Sequence, residues 1–544
     1  MRNAYVKYAR PENEPVRPHV PGDSDYEKVQ TQLKKFLSTE IEIPLIIGGK
    51  EVKTGNMGKC VCPHDHQHVL AQYHKASKKE VEMAIEASQE AWKEWSQLDW
   101  QARAAIFLKA ADLLTKPFRP TIVAATMLNQ SKTVHQAEIE AACELSDFLR
   151  FNVFYLTQLF SNQPQSVDTI WNFVDYRPLE GYIFAVTPFN FTAIAGNLPT
   201  SPALMGNVSL WKPASSAVFS AYYFMKILKE AGIPDGVINF LPGTGGEVGL
   251  PALMNPNFAG LHFTGSTATF QNMWKIIGNN IASYKTYPRI VGETGGKDFV
   301  VVHESADSDE VATALVRGSF EYQGQKCSAV SRAYVPDSLW PVIEEKIKTM
   351  TATIKLGDVT DCKNFMGAVI DAKAFESITG YIDYAKESSD YELIIGGDYD
   401  DSKGYFIQPT VFLSKKPDSR LMQEEIFGPV LTVYVYPANE YEHTLKLCDE
   451  TSPYGLTGAV FAKERYAIQK AYWALRHSAG NFYINDKPTG AIVDQQPFGG
   501  SRASGTNDKA GSIMNQLRWC SVRSVKEAFL TAKDYRYPFM CDAE

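Results

Sequence analysis

The chain has 544 residues, of which 44% are hydrophobic and 21% charged, the composition of an ordinary globular protein. This length exceeds what a single hydrophobic core usually supports, so we expect two or more domains. The formal net charge of −8 argues against a nucleic-acid partner, and no apolar run approaches the roughly 20 residues of a membrane span.

The first 25 residues are rich in proline and charge and predict an extended N-terminal arm. Its first ten residues are basic, but Glu12 and Glu14 follow closely and the segment has no apolar face. The arm is therefore a poor targeting peptide.

Eight cysteines are scattered along the chain without a Cys-x-x-Cys motif, which predicts reduced thiols. Cys60 and Cys62 form the one close pair, and His64, His66 and His68 follow at alternate positions. This spacing matches no standard zinc motif, so we expect an exposed strand or turn there and no metal site in the chain.

Apolar residues at three-to-four spacing predict helices from about residue 79 and then over 103–114 and 137–151. From residue 182 onward short apolar runs alternate with loops and helices, which predicts a doubly wound parallel sheet of an α/β protein. The predicted strands are 182–186, 208–211, 238–240, 260–263, 299–302 and 430–436, and the predicted helices are 219–231, 270–281 and 339–354.

Residues 161–182 carry Ile170, Trp171, Phe173, Val174 and Tyr176 in a stretch too polar for a core. We expect a β-hairpin whose edge pairs with another subunit, and a surface flap is an equal alternative.

Three polar residues suit acyl chemistry. Cys327 follows Glu293 by 34 positions, and Asn190 lies in a Thr-Pro-Phe-Asn-Phe sequence upstream. A thiol, a carboxylate and a carboxamide can act as nucleophile, general base and oxyanion donor.

Two predicted strands end in groups that suit a dinucleotide. Gly265 and Ser266 form a turn between a strand and a helix, where backbone N–H groups can hold a phosphate. Lys212 closes another strand at the edge where parallel sheets bind ligands. Neither stretch matches the G-x-G-x-x-G fingerprint, so a plain loop and a solvated lysine stay as alternatives.

Taken in order, these motifs resemble those of the aldehyde dehydrogenase superfamily over roughly residues 45–525. The motifs are Thr-Pro-Phe-Asn-Phe, Trp-Lys-Pro-Ala, Phe-Thr-Gly-Ser-Thr, Gly-Glu-Thr-Gly-Gly-Lys, Gly-Gln-Lys-Cys-Ser-Ala, Glu-Glu-Ile-Phe-Gly-Pro and Pro-Phe-Gly-Gly. The resemblance implies a Rossmann-type NAD-binding domain, an α/β catalytic domain and a β-hairpin oligomerisation flap. It assigns residues 26–160 and 183–297 to the first, 298–505 to the second, and 161–182 with 506–544 to the flap and tail.

Further stretches resemble the branch of this superfamily that oxidises L-glutamate γ-semialdehyde, the open form of Δ1-pyrroline-5-carboxylate, to L-glutamate in proline degradation. They are the residues around Gln136, 148–152, 321–329, 479–487 and 501–509. The resemblance implies that Cys327 attacks the aldehyde, Asn190 holds the oxyanion and Glu293 activates the water that releases the product.

The same resemblance implies NAD contacts from Lys212, Glu425, Phe427 and the turn that starts at Gly265, which comprises Gly265, Ser266, Thr267, Ala268 and Thr269. Many NAD-preferring relatives carry a glutamate three positions after the lysine, where this chain has Ser215. A missing carboxylate weakens discrimination against a 2′-phosphate, so we expect NAD as cofactor while tolerance of NADP stays open.

The implied substrate residues are Thr187, Phe191, Lys326, Ser328, Gly490, Ala491 and Phe498. Ser328 and the backbone of the loop at Gly490 would bind the charged end of the substrate, and Ala491 lacks a hydroxyl that the branch often has. Glu144 would meet the substrate ammonium group or orient Lys326.

Three other functions remain to be tested: an aldehyde dehydrogenase for a different aldehyde, a CoA-acylating enzyme, and a catalytically silent binding protein. Glu293 argues against the second, and the presence of both Cys327 and Glu293 argues against the third. The resemblance further implies a homodimer or a larger homo-oligomer. It also implies a mitochondrial matrix location in a eukaryote, or a cytoplasmic one in a prokaryote or if the N-terminus is not a presequence.

Overall fold

Two seven-stranded sheets organise the chain in the computed structural model, which describes residues 6–540. Elements in the first part are α1 Ser24–Leu37, β1 Ile41–Ile43, β2 Leu45–Ile47, β3 Lys50–Val52, β4 Met57–Cys62, β5 Asp65–His74, α2 Lys78–Trp95, α3 Trp100–Thr115, α4 Arg119–Gln130, α5 Val134–Ala137, α6 Leu145–Ser161, β6 Ile170–Arg177, β7 Tyr182–Val186, α7 Thr192–Leu204, β8 Val208–Lys212, α8 Val218–Ala231, β9 Ile238–Phe240, α9 Gly245–Met254, β10 Phe258–Thr264, α10 Thr267–Asn279 and β11 Arg289–Glu293.

The second part begins immediately after β11. Its elements are β12 Asp298–Val302, α11 Ser308–Phe320, β13 Val330–Pro336, α12 Trp340–Thr351, α13 Ala372–Glu387, β14 Tyr391–Ile395, β15 Tyr399–Asp400, β16 Phe406–Ile407, β17 Thr410–Ser414, α14 Arg420–Gln423, β18 Val430–Tyr436, α15 Tyr441–Thr451, β19 Tyr454–Gly455, β20 Thr457–Phe461, α16 Arg465–Ala474, β21 Asn481–Ile484, β22 Ser501–Arg502, α17 Ile513–Arg518 and β23 Ser521–Ala528.

The first sheet has the order β11-β10-β7-β8-β9-β2-β3, in which the five strands from β11 to β9 are parallel. Strands β7 and β8 are buried along their whole length because helices cover both faces of the sheet. The order reverses direction along the chain beside β7, which is where open α/β sheets bind ligands. The predicted α/β fold with a doubly wound parallel sheet is confirmed.

The second sheet has the order β14-β17-β18-β13-β12-β20-β21, and β14 is its antiparallel strand. Here too the predicted strands and helices are found, with ends that differ by up to three residues.

In the first part of the chain, the start of helix α10 differs from the prediction in a way that matters for the site. The helix begins at Thr267 and not at residue 270. Its first turn therefore includes the residues predicted to hold a phosphate.

The predicted helix over 137–151 is interrupted by a π-helical turn over Glu138–Glu144. Buried ion pairs hold two of the three glutamates of this turn: Glu138 pairs with Arg119, and Glu140 with Lys132. The wider turn points these carboxylates at cations on other elements, a feature that apolar spacing cannot reveal. Such turns occur often at functional sites.

The expected hairpin within 161–182 is replaced by a ribbon of two strands far apart in sequence. Strand β6 pairs antiparallel with β23, from Ile170 opposite Ala528 to Arg177 opposite Ser521. Pro164 and the polar residues around it make a poor second strand, since proline has no N–H to donate. The ribbon leaves Trp171 60% exposed.

The cysteine–histidine stretch forms β4 and β5, but it is less exposed than expected. Cys60, Cys62 and His64 are buried, because this small sheet packs against Gly404 and against the hydrophobic core that surrounds the first seven-stranded sheet. Within residues 6–540 no three metal-ligating side chains come together there or elsewhere. In the same range no helix is long and apolar enough to cross a membrane.

Candidate active site

One cavity of about 670 Å³ brings the principal predicted side chains together. Cys327 and Glu293 both line this cavity. Glu293 is the last residue of β11 in the first sheet, and Cys327 lies in the loop before β13 of the second sheet. Of the predicted substrate residues, the cavity is lined by Phe191, Lys326, Ser328, Gly490, Ala491 and Phe498.

Cys327 is presented by a strained turn after α11. Tyr322 and Gln323 have φ angles of 53° and 54°, in the left-handed region that costs free energy for residues with a side chain. The Gln323 carboxamide holds the turn, because it donates to the carbonyls of Ser131 and Ala368 at 2.9 and 2.8 Å. Buried polar bonds thus fix the backbone that carries the thiol.

The Cys327 thiol is hard to ionise where it stands. Burial raises its pKa well above the ordinary value, and nearby carboxylates, Asp298 and Glu293 among them, raise it further. A thiolate is the attacking species, so this site needs a proton acceptor close by. Glu293 is one of several carboxylates that line the cavity with Cys327, and its charge acts on the Cys327 pKa.

Glu293 ends β11 and is held by a glycine turn from the second part of the chain. The N–H of Gly500 donates to Glu293 Oε2 at 3.1 Å. Burial raises the pKa of the Glu293 carboxyl well above its usual range, while the Gly500 bond and the Lys509 charge oppose that rise and Asp508 adds to it. A raised pKa suits a carboxylate that takes a proton from water or from a thiol.

Lys509 lies in the 501–509 stretch that resembles the family, but no role was predicted for it from the sequence. Its ammonium group donates to the carbonyl oxygens of Gly480 and Gly499 at 2.8 and 2.9 Å. These bonds tie down the turn whose next residue, Gly500, holds Glu293. The only signal in the sequence was a lysine near the Pro-Phe-Gly-Gly motif.

We predict that Lys509→Met moves the acidic limb of the pH–rate profile to higher pH. In its predicted role Glu293 must be ionised to accept a proton from water. The Lys509 charge lowers the Glu293 pKa, so removing this cation leaves burial and Asp508 to raise that pKa. The kcat profile of the variant would be compared with that of Lys285→Met, which removes an exposed lysine. An unmoved or lower limb would contradict this role for Lys509.

Asn190 lies in the loop between β7 and α7 and is buried. Its side-chain amide donates to the carbonyl oxygen of Gln325 at 3.1 Å, two residues before Cys327. The carboxamide therefore reaches the segment that carries the thiol, and its role as oxyanion donor stays a prediction.

Lys212 and the turn that starts at Gly265, both predicted to contact the cofactor, lie at the carboxyl edge of the first sheet. Lys212 ends β8 and is buried, its ammonium group donates to the carbonyl of Pro213 at 3.1 Å, and burial lowers its pKa to about 8. A buried cation with a single carbonyl acceptor has donors left for ribose hydroxyls, so Lys212 fits a dinucleotide.

The predicted phosphate turn forms the start of α10. Gly265 joins β10 to the helix, and the Ser266 hydroxyl accepts from the N–H of Thr269 as the N-cap. Thr267 and Ala268 occupy the first turn, where helical N–H groups lack partners within the helix. This end of a 13-residue helix fits a pyrophosphate.

Glu425 and Phe427 approach the same region from the second part of the chain. The Gly296 N–H donates to Glu425 Oε1 at 2.9 Å, and burial raises the Glu425 pKa to about 7. A side chain at Gly295 would put its Cβ 2.0 Å from this carboxylate, so the close approach requires glycine. Phe427 packs edge-on against Phe189 with ring centroids 5.8 Å apart.

Within the cavity, the Ser328 hydroxyl lies 2.8 Å from that of Thr489, beside the Gly490 backbone. Lys326 forms its ion pair with Glu321 at 3.0 Å. Glu144 lines the cavity, and burial raises its pKa to about 8, so it is largely protonated at neutral pH. The structure favours neither role predicted for Glu144, because a protonated carboxyl has no charge for the substrate ammonium group and Lys326 already has another carboxylate partner.

Thr187 is the one predicted substrate residue that does not line the cavity. It is buried, and its hydroxyl accepts from the indole N–H of Trp211 at 3.1 Å. Lys132 was not predicted at the site, but it contacts a residue of the cavity wall. Its ammonium group lies 4.2 Å from the centre of the Phe191 ring. No pattern in the sequence links these two residues.

Comparison with known proteins agrees with this geometry. The model of the aldehyde dehydrogenase family matches residues 51–525. A mitochondrial Δ1-pyrroline-5-carboxylate dehydrogenase of Dictyostelium discoideum is 52% identical over 98% of this chain and 96% of its own length. The human protein of that name is 47% identical over 97% of this chain and 94% of its own length.

Solved structures agree at the level of the whole chain. The Mycobacterium tuberculosis Δ-pyrroline-5-carboxylate dehydrogenase bound with NAD superposes with a TM-score of 0.96 at 49% identity, covering 99% of this chain and 100% of that one. A Thermus 1-pyrroline-5-carboxylate dehydrogenase with bound NAD gives 0.90 at 31% identity, over 96% of this chain and 100% of that one. The chain belongs to the aldehyde dehydrogenase family.

Proposed function

We propose that this protein oxidises L-glutamate γ-semialdehyde, formed by opening of Δ1-pyrroline-5-carboxylate, to L-glutamate with NAD, the second step of proline degradation. The observation that carries the proposal is the single cavity that holds Cys327, Glu293 and the Ser328–Gly490 region. Relatives that bear the name of this activity match nearly the whole chain, which supports the choice of substrate.

In the proposed mechanism, Cys327 loses its proton to water and attacks the aldehyde carbon, giving a thiohemiacetal. The Asn190 amide and the Cys327 N–H stabilise the oxyanion. When bound, NAD accepts the hydride that leaves this carbon. Cys327 then carries a thioester, and Glu293 takes a proton from the water that hydrolyses it. Cys327 is regenerated as L-glutamate leaves.

Lys212, Glu425, Phe427 and the turn from Gly265 to Thr269 would hold the dinucleotide. The hydroxyl of the exposed residue Ser215 donates to the Gly243 carbonyl at 3.4 Å and offers no charge to repel a 2′-phosphate. We therefore propose NAD as the working cofactor with measurable use of NADP.

The proposal is tested by NADH formation with pyrroline-5-carboxylate and with propanal, each with NAD and NADP in parallel. We expect kcat/KM for the semialdehyde to exceed that for propanal by at least about 100-fold, since a site built for charged groups rejects ligands that lack them. Preference for propanal would refute the substrate. Formation of an acyl-CoA when CoA is supplied would refute hydrolytic release.

We also propose the four-part division of the chain given above, because one large sheet ends at β11 and the other starts at β12. The ribbon of β6 and β23 supports a homodimer or larger assembly, since it exposes Trp171 and Val522. We propose a mitochondrial matrix location because the Dictyostelium and human relatives are named as mitochondrial enzymes.

A further inference from the structure

An extended segment near the N-terminus forms part of the cavity wall. We define residues 10–19 as the N-terminal strap, which has no helix or strand. Asn13, Glu14 and Val16 of the strap line the same cavity as Cys327. The proposed mechanism assigns none of these residues a role. They lie at the cavity even though more than three hundred positions separate them from Cys327 in the sequence.

Asn13 connects the strap to two other parts of the cavity. Its amide nitrogen donates to Asp147 Oδ2 at 2.9 Å, on α6, and to the carbonyl oxygen of Val493 at 3.0 Å. Its carbonyl oxygen accepts from the Gln495 amide at 3.0 Å. One carboxamide thus uses both ends to hold the loop that follows Gly490 and Ala491.

A second contact holds the same loop from the start of the strap. The Arg10 guanidinium donates to Asp494 Oδ2 at 2.7 Å, and the Tyr155 hydroxyl donates to Asp494 Oδ1 at 2.6 Å. Asp494 has a φ of 72°, in the left-handed region. A residue with a side chain keeps this conformation only where its contacts stabilise it. Part of that stabilisation comes from Arg10 of the strap.

The remainder of the strap is fixed to the body of the protein by two ion pairs of Glu14 and by a contact of His19. Glu14 accepts from Arg119 at 2.6 Å and from Arg150 at 2.7 Å. His19 is buried and lies 2.9 Å from Glu138, the first residue of the π-helical turn. Breaking such buried pairs is costly, so the strap is anchored well enough to position a neighbour.

The loop over 489–496 is closed on itself by a turn, in which the N–H groups of Gln495 and Gln496 each donate to the Ile492 carbonyl at 3.0 Å. It contains no helix or strand, and Gly490 has a φ of 92°. The loop offers backbone groups at Gly490 and Ala491 to the cavity, and its far end is tied to Asn13. Any shift of the strap would therefore move the groups proposed to bind the charged end of the substrate.

We propose that the N-terminal strap is a specificity-determining wall of the active site, and that Asn13 is a positioning residue that sets the 489–496 loop for an amino-acid aldehyde. This inference rests on the proposed substrate. It goes beyond it by assigning recognition of the charged end of that substrate to a segment far from the motifs.

The test compares Asn13→Ala, Gln495→Ala and the double variant in the full-length enzyme. We expect Asn13→Ala to raise KM for the semialdehyde about 10-fold, as the loss of two or three hydrogen bonds permits, with less than about 2-fold change in kcat. Both KM and kcat for propanal, which has no charged end, should change by less than about 2-fold. Glu12→Ala, an exposed strap residue beside Asn13, is the matched control.

Gln495→Ala removes a single bond from the loop side and should raise the semialdehyde KM less. Its effect should not add fully to that of Asn13→Ala, because the two side chains share one interaction. Equal changes for both aldehydes, or none for the semialdehyde, would overturn the role of the strap. A wild-type enzyme that prefers propanal would instead refute the proposed function. The wild-type kcat/KM values for the two aldehydes are therefore measured before any variant is made.

Discussion

Replacing Cys327 with alanine is expected to lower kcat for the semialdehyde by at least about 10⁴-fold, the loss seen when a catalytic nucleophile is removed. The reason is chemical: without sulfur no thiohemiacetal forms, so there is no carbon positioned to give up a hydride. The measurement is NADH formation at saturating NAD, over the steady state and over the first turnover. Neither should show more than background.

Cys362→Ala is the matched control for this variant. Cys362 is exposed and lies at the same cavity as Cys327, so general reactivity of a thiol there would be detected. We expect it to keep wild-type activity. A Cys327→Ala enzyme that turns over at a tenth of the wild-type rate or faster would contradict the assignment of the nucleophile.

Replacing Glu293 with glutamine should separate the two halves of the reaction. Steady-state kcat should fall by about 10²- to 10⁴-fold, because an amide cannot take the proton from the attacking water. The first turnover needs no hydrolysis, so a burst equal to one NADH per active site should remain. The amide oxygen can still accept from the Gly500 N–H, which keeps the local geometry.

Rapid mixing with absorbance detection of NADH measures this burst. Loss of the burst together with the steady state would show that Glu293 is needed before hydride leaves, as the acceptor of the Cys327 proton. Unchanged steady-state turnover would contradict any role for Glu293 in the reaction.

Much of the fold could be predicted from local signals. Buried parallel strands are continuous apolar runs, and 182–186, 238–240 and 430–436 were predicted with the bounds that β7, β9 and β18 have. Motif residues lie at the ends of such strands, which is why Lys212 and Gly265 could be located before the structure. Both kinds of signal sit within a few residues of the feature that they predict.

Features built from distant residues could not be predicted in this way. The pairing of β6 with β23 joins positions about 350 apart in the chain, and apolar spacing gives no partner for an edge strand. The π-helical turn depends on Arg119 and Lys132, which lie on and after α4. Thr187 was expected at the substrate, but the indole of Trp211 on β8 occupies its hydroxyl.

The same reason explains why Asn13 and Lys509 were missed. Each acts through a backbone segment, the 489–496 loop for Asn13 and the Gly499–Gly500 turn for Lys509, and neither contact has a sequence signature. The roles of both are visible only once the chain is folded around the cavity.

The central claim is that sulfur at 327 carries the oxidised substrate until water, activated at 293, removes it. Intact-mass and peptide-level mass spectrometry of Glu293→Gln, quenched in acid after mixing with NAD and pyrroline-5-carboxylate, tests this most directly. We predict one γ-glutamyl group per chain, attached to Cys327 and absent when NAD is omitted. An NADH burst with no adduct, or with the acyl group on a different residue, would contradict the account.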